Sequence, residues 1–285
     1  MSIILDGRKT REALVPGLIA KIKRLSYVPH LVIIQVGNRP DSAAYIRGKQ
    51  SFAQKIGVNQ ELVQFPDSIL EQEIISAIQK YNADPLVQGI ILQLPLPSGL
   101  DQNNIIEAID YRKDVDGLTS PQVKGWLADY ENAILPATAR GVKEFLAHNA
   151  IPLLNKKVVV VGRSMLVGKP IAAMCLSEGA TVTVCHSKTA DLAAETKIAD
   201  IIIVAAGKIG LINASHVREG QVVIDVGINT ITGEKLEDEI EDRRLVGDVD
   251  FESVKDIVAA TSPVPGGVGP MTVLGLFENL IDLCK

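Results

Sequence analysis

The stretch Val158–Thr189, VVVVGRSMLVGKPIAAMCLSEGATVTVCHSKT, reads as strand, glycine turn, helix and second strand in immediate succession. Val158–Val161 is a continuous β-branched run of the kind buried on both faces of a parallel sheet. Gly162 ends it where a phosphate could approach bare backbone, and the amides of the following helix are expected to face that phosphate. The order of these parts is that of a dinucleotide site, and it commits this region to a parallel α/β architecture.

The turn departs from the common patterns in two ways. It is not GxGxxG. It is also not a Walker loop, because five residues separate Gly162 from Gly168 and Pro170 stands where Ser or Thr would bind magnesium. A site selective for NAD usually has an acidic residue about 20 positions past the first glycine, at the end of the second strand. Here that place holds His186, Ser187 and Lys188. A cation and a hydroxyl suit a 2′-phosphate, and Arg163 in the turn can pair with it as well, so NADP is the expected cofactor.

At 285 residues the chain has room for two domains with ample core. A net charge of −5 argues against a nucleic-acid or anionic-membrane surface as the main partner. Cys175, Cys185 and Cys284 show no CxxC spacing, so neither a zinc site nor a disulfide framework is indicated, and a reduced cytosol is the expected setting. The opening MSIILDGRKT does not read as a signal peptide, and no run approaches the length of a membrane span.

Short apolar runs alternate with longer amphipathic ones along the whole chain, as in an α/β protein. In the first half Leu31–Val36, Glu61–Phe65 and Gly89–Leu94 read as strands, separated by helices at about Asp41–Ile56 and Ile69–Tyr81. In the second half KVVVV, TVTVC, DIIIVAA and QVVIDVG each suit a parallel sheet. A helix at about Thr138–His148 is expected to bridge two domains. A last helix beginning at MTVLGLFENLIDLC, with Leu274, Phe277, Leu280 and Ile281 at helical spacing, is expected to pack back on the first.

Three places carry candidate chemistry. On the helix from Asp41, Tyr45, Lys49, Phe52 and Ile56 share one face, which sets a lysine in an apolar and aromatic stripe. A desolvated amine there has a lowered pKa and can exchange a proton near neutrality, whereas a lysine snorkelling from the core edge is the plainer alternative. Ser42 is read as the helix cap. Gln93, at the end of GIILQLPLP, is either a ligand contact at a strand end or a partner for neighbouring backbone. Asp114 and Asp116 precede a glycine turn. Position twelve from Asp114 is Gly125 rather than glutamate, so calcium is not expected, and each carboxylate is a structural cap or a contact for a substrate amino group. The four histidines have no metal spacing.

Taken together, SAAYIRGK, GIILQLPLP, DVDGL, VVGRSMLVGKP, DVGIN and PVPGGVGPMT resemble, in order and spacing, the bifunctional methylenetetrahydrofolate dehydrogenase and methenyltetrahydrofolate cyclohydrolase (FolD) family over nearly the whole chain. One block differs, since residues 136–141 read PATARG where the family commonly shows PCTPxG, which bears on loop stiffness more than on chemistry.

The resemblance implies a two-domain α/β protein. Residues 1–137 with 268–285 would form the folate-binding catalytic domain and 138–267 a Rossmann-like NADP domain, with the folate in the cleft and the nicotinamide beside it. By that match Tyr45 and Ser42 contact the folate, Lys49 sits near its one-carbon bridge, Gln93 orients Lys49 and Asp116 grips the pterin. Pro265 and Gly266 line the folate pocket, and Gly162, Arg163, Ser164, Ser187 and Ile228 contact NADP. The implied activities are NADP-dependent oxidation of 5,10-methylenetetrahydrofolate and hydrolysis of the methenyl product to 10-formyltetrahydrofolate, in a cytoplasmic homodimer serving one-carbon metabolism and purine biosynthesis. Without the resemblance, an NADP-dependent dehydrogenase of an amino or hydroxy acid, or a nucleotide-sensing protein without turnover, would stand beside this reading.

Overall fold

The computed structural model describes the backbone of residues 2–38, 40–236 and 240–284, and the side chains of these apart from 40–45 and 232–244. In chain order the first half runs β1 (Ile3–Ile4), α1 (Gly7–Ile22), β2 (His30–Val36), α2 (Pro40–Ile56), β3 (Asn59–Phe65), α3 (Glu71–Ala83), β4 (Gly89–Leu92), α4 (Gln102–Glu107) and α5 (Ser120–Leu127). It continues with α6 (Ala137–His148), β5 (Lys157–Val161), α7 (Gly168–Ser177), β6 (Thr181–Cys185), α8 (Leu192–Lys197), β7 (Ile201–Val204) and β8 (Val222–Asp225). The last part comprises β9 (Asn229–Leu236), β10 (Ile240–Val246), α9 (Phe251–Val254), β11 (Ala260–Thr261) and α10 (Val268–Asp282). The chain divides into two compact units, one of Glu12–Arg140 with Val273–Lys285, the other of Met1–Arg11 with Gly141–Thr272.

The first of these units is built on a parallel three-stranded sheet in the order β3-β2-β4. A parallel sheet must be covered on both faces, and β2 shows the consequence, with Leu31–Ile34 fully buried. Ile74 and Ile78 of α3 and Ile105 of α4 pack with Val32, Ile34 and Ile90. β4 opens on Gly89, where a Cβ would press on Val115 and Leu280. From Val273 onward α10 belongs to this unit, and its Phe277 ring meets Phe52 at 5.5 Å between centroids.

Two boundaries differ from the sequence reading for physical reasons. β4 closes at Leu92, although the Gln93 amide still donates to Ile34 O at 2.8 Å, because Pro95 has no N–H with which to continue a ladder. α2 begins at Pro40, a residue suited to a first helical turn, so Ser42 stands inside that turn and not at its cap. The side chains of Ser42 and Tyr45 lie outside the described residues.

The second unit carries a six-stranded parallel sheet in the order β1-β11-β8-β7-β5-β6. β5 pairs with β6 on one side and β7 on the other, so the connections run in opposite directions from it. That reversal is the topological switch point at which open α/β sheets bind ligands, beyond the carboxyl ends of the strands. Val159, Val161, Ile202, Val204, Val223 and Val254 form the core on one face. β9 and β10 make an antiparallel hairpin that the sequence reading did not anticipate.

Candidate active site

In the first unit, the helical stripe of α2 brings Lys49 to the end of β4. Its Nζ donates to Gln93 Oε1 at 3.0 Å, while Gln93 Nε2 donates to Leu94 O at 2.9 Å, which fixes which end of the amide faces the lysine. Burial lowers the Lys49 pKa, and the nearby Asp116 carboxylate partly offsets this. For Asp116, desolvation dominates and pushes its carboxyl up to about 6, with Lys49 pulling it down and Asp114 pushing it further up. The pair is therefore poised so that both groups exchange protons more readily near neutrality than in water.

The two aspartates of DVDGL have separate tasks. Asp114, 1% exposed, caps the turn: Oδ2 accepts from Thr119 N at 2.7 Å and Oδ1 from Asp116 N at 3.2 Å. Gly117 has φ +64°, and a Cβ there would overlap Ile134 O. Trp126 Nε1 donates to Gly117 O at 3.1 Å. Asn279 of α10, fully buried, donates to Val115 O at 2.9 Å and Leu135 O at 2.8 Å. Asp116 is thus held by a rigid turn while its own carboxylate is left to act. Sequence reasoning missed Trp126 and Asn279; the available signal was an asparagine amid a helix that is apolar on nearly every side.

In the second unit, Gly162 has φ +130°, and a Cβ would overlap Ala205 O. A Cβ on Gly168 would likewise overlap Gly162 O. These glycines let β5, the turn after β7 and the start of α7 pack backbone against backbone at the switch point, the place where an open α/β sheet takes a dinucleotide. One expectation is corrected. The amides at the start of α7 do not point outward unpaired, because Ser164 Oγ accepts from Val167 N at 3.2 Å and Gly168 N at 3.4 Å and Ser164 O from Lys169 N at 3.0 Å. The serine hydroxyl has filled the cap, and its own O–H stays available as a donor.

Arg163 and Ser187 are both exposed. His186 turns inward to its own loop, with Nδ1 accepting from Lys188 N at 3.2 Å. Ile228 is 40% exposed. Pro265 and Gly266 belong to this same unit, where Gly266 O accepts from Gly7 N at 2.8 Å. The structure therefore brings together Lys49, Gln93 and Asp116 in one unit, and sets Gly162, Arg163, Ser164, Ser187, Ile228, Pro265 and Gly266 in the other. Among the described residues no group of His, Cys, Asp or Glu could hold a metal ion.

A parallel sheet with a glycine-lined switch point, joined in one chain to a lysine–glutamine–carboxylate group, defines a two-unit α/β enzyme of the nucleotide-dependent class. Residues 5–116 match the family model for the catalytic domain of tetrahydrofolate dehydrogenase/cyclohydrolase, and residues 136–285 match its NAD(P)-binding domain. The bifunctional protein FolD of Exiguobacterium sibiricum is 42% identical, with all of both chains covered. Among solved structures, the bifunctional FolD enzyme from Campylobacter jejuni is 38% identical with a TM-score of 0.93, covering 100% of this chain and 99% of its own. The Trypanosoma brucei enzyme complexed with NADP and an inhibitor is 33% identical, also with a TM-score of 0.93, over 100% of this chain and 97% of its own. The chain belongs to the tetrahydrofolate dehydrogenase/cyclohydrolase family.

Proposed function

We propose that Lys49, Gln93 and Asp116 are the polar working groups of both activities of this enzyme, and that Gly162, Arg163, Ser164, Ser187 and Ile228 hold its nucleotide. The activities are the NADP-dependent oxidation of 5,10-methylenetetrahydrofolate and the hydrolysis of the methenyl product to 10-formyltetrahydrofolate. When bound, NADP supplies the acceptor for the hydride that leaves the methylene carbon. Asp116, as a carboxylate acceptor held by a rigid turn, suits two donors on the pterin ring and fixes the substrate for that transfer.

In the second step water adds to the carbon of the methenyl cation and a carbon–nitrogen bond breaks; of the two protons that the water gives up, one travels to the departing nitrogen and the other is released to solvent. Lys49 Nζ carries the proton bound for the nitrogen, since burial has brought its pKa down toward working pH and Gln93 Oε1 fixes its direction. Arg163 and Ser187 receive the 2′-phosphate, which favours NADP over NAD. The observation that supports the reading most directly is the Lys49–Gln93 hydrogen bond beside Asp116.

A spectrophotometric assay tests it, following NADP reduction with methylenetetrahydrofolate and then methenyl decay in the same cuvette. Failure of NADP reduction would reject the folate reading. The proposed working form is a cytoplasmic homodimer, with 10-formyltetrahydrofolate passed to purine biosynthesis; sedimentation of the purified chain as a monomer would reject the dimer. No helix among the described residues is long and apolar enough to cross a membrane.

A further inference from the structure

Asp248 follows the β9–β10 hairpin and is fully buried, and its carboxylate joins the start of that hairpin to a turn some 40 residues earlier. Oδ2 accepts from Ala206 N at 2.6 Å and Gly207 N at 2.8 Å, and Oδ1 accepts from Lys208 N at 2.8 Å. Oδ1 also accepts from Asn229 Nδ2 at 2.9 Å. Three successive amides turned to one point form a nest, a shape that ordinarily binds an anion from outside. Here the anion is part of the chain.

The segment so gripped is the turn that leaves β7. It begins at Ala205, whose carbonyl lies flush against Gly162, and whose amide donates to Val161 O at 2.7 Å. The Ala205–Lys208 turn and the Gly162 turn are thus the two walls of the switch-point crevice between β5 and β7. The chain makes room for the grip with glycines. A Cβ on Gly227 would run into the Asp248 carboxylate, and one on Gly247 into that of Asp225. Asp225 in turn accepts from Asp248 N at 3.1 Å and Val249 N at 2.9 Å, which fixes the backbone from which Asp248 reaches.

We propose that Asp248 is a positioning residue of the nucleotide site, its carboxylate filling the amide nest and holding the turn after β7 in the form that NADP meets. The role rests on the reading that the crevice between β5 and β7 takes NADP. Asp248→Asn is the direct test. Whichever oxygen becomes NH2, it faces two N–H donors, so two charge-assisted bonds are lost and the turn is released. Titration calorimetry should show NADP binding weakened on the order of tenfold or more. Methenyl hydrolysis, which consumes no nucleotide and is assigned to residues of the other unit, should stay within about threefold of wild type, on the scale of one hydrogen bond or less.

Hydrogen exchange in the nucleotide-free wild type should show the amides of Ala206, Gly207 and Lys208 protected, and should show faster exchange in the variant. Should Asp248→Asn not fold, Asn229→Ala removes one of the four donors and carries the same comparison, with NADP affinity expected to fall about threefold as the three amides exchange faster. Binding of NADP by either folded variant at wild-type strength overturns the role, as does a parallel fall of hydrolysis and binding. Absence of NADP binding by the wild-type chain would overturn the cofactor reading, and this role with it.

Discussion

Replacing Lys49 by methionine keeps an apolar stem out to Cε, with sulfur in place of Cδ, and removes the amine. The Gln93 Oε1 bond of 3.0 Å goes with it, and Asp116 loses the neighbour that holds its carboxyl down to about 6. Two effects on rate are then possible, and their sizes differ. With its carboxyl at about 6, Asp116 is roughly 97% ionised at pH 7.5, so a modest rise once the amine is gone costs less than a factor of two. Loss of a positioned proton carrier costs on the order of 10²–10⁴ in rate, about 3–5 kcal/mol of barrier. Methenyl hydrolysis should accordingly collapse by at least about a hundredfold. Hydride transfer, which depends on positioning and needs no protein base, should survive in measurable part. The assay is decay of methenyltetrahydrofolate absorbance, read beside NADP reduction on the same preparation. Hydrolysis within twofold of wild type would refute the role of Lys49, and equal loss of both activities would mean that the lysine merely holds the site together.

Asp116 gives a pH prediction with a defined sign. If only its carboxylate binds the pterin donors, the KM for the folate should fall roughly tenfold from pH 5 to pH 7, through the pKa of about 6, and Asp116→Asn should flatten that slope. Since burial raises this pKa, the protonated carboxyl favours the fold; that stabilisation is complete below about pH 4 and is lost as pH rises through about 6, so denaturant midpoints of the Asn variant should lack this part of the pH dependence. Arg163→Ala should weaken NADP about 10–100-fold by calorimetry while leaving NAD affinity in place, and equal loss for both would place Arg163 elsewhere than on the 2′-phosphate. Phe277→Ala, at a fully buried position against Phe52, should destabilise the Glu12–Arg140 unit by about 3–5 kcal/mol in urea unfolding, and a change below about 1 kcal/mol would contradict the packing.

The strands were legible where burial on both faces left continuous β-branched runs, as in β2, β5 and β7. The helical stripe of α2 and the apolar face of α10 were legible from their period. The β9–β10 hairpin was not, because TGEKLEDEIEDRR has no apolar alternation to mark two strands. At the site, Lys49 was visible as a cation out of place in an apolar stripe, and DVDGL as a carboxylate pair. Which carboxylate works and which caps was invisible, since that depends on Thr119 N reaching Asp114 and on Asn279 arriving from 164 residues past Val115. Asp248 escaped for the same reason: its partners are amides of a turn some 40 residues earlier, and main-chain donors leave no mark in a sequence.

The pairing of β1 has a consequence for how the chain is made. Its two residues have one strand neighbour, β11, joined through Ile3 to Ala260 and Ile4 to Thr261. α10, which supplies Phe277 and Asn279 to the other unit, comes later still. Contacts of such sequence separation are slow to close. During synthesis, then, β1 has no strand partner until β11 is made, and the folate unit waits for the Phe277 and Asn279 of α10. Cutting the chain at its midpoint would leave one fragment without the buried Phe277 and Asn279 of α10 and the other without the edge strand β1, so the two units are separate in structure but not in synthesis.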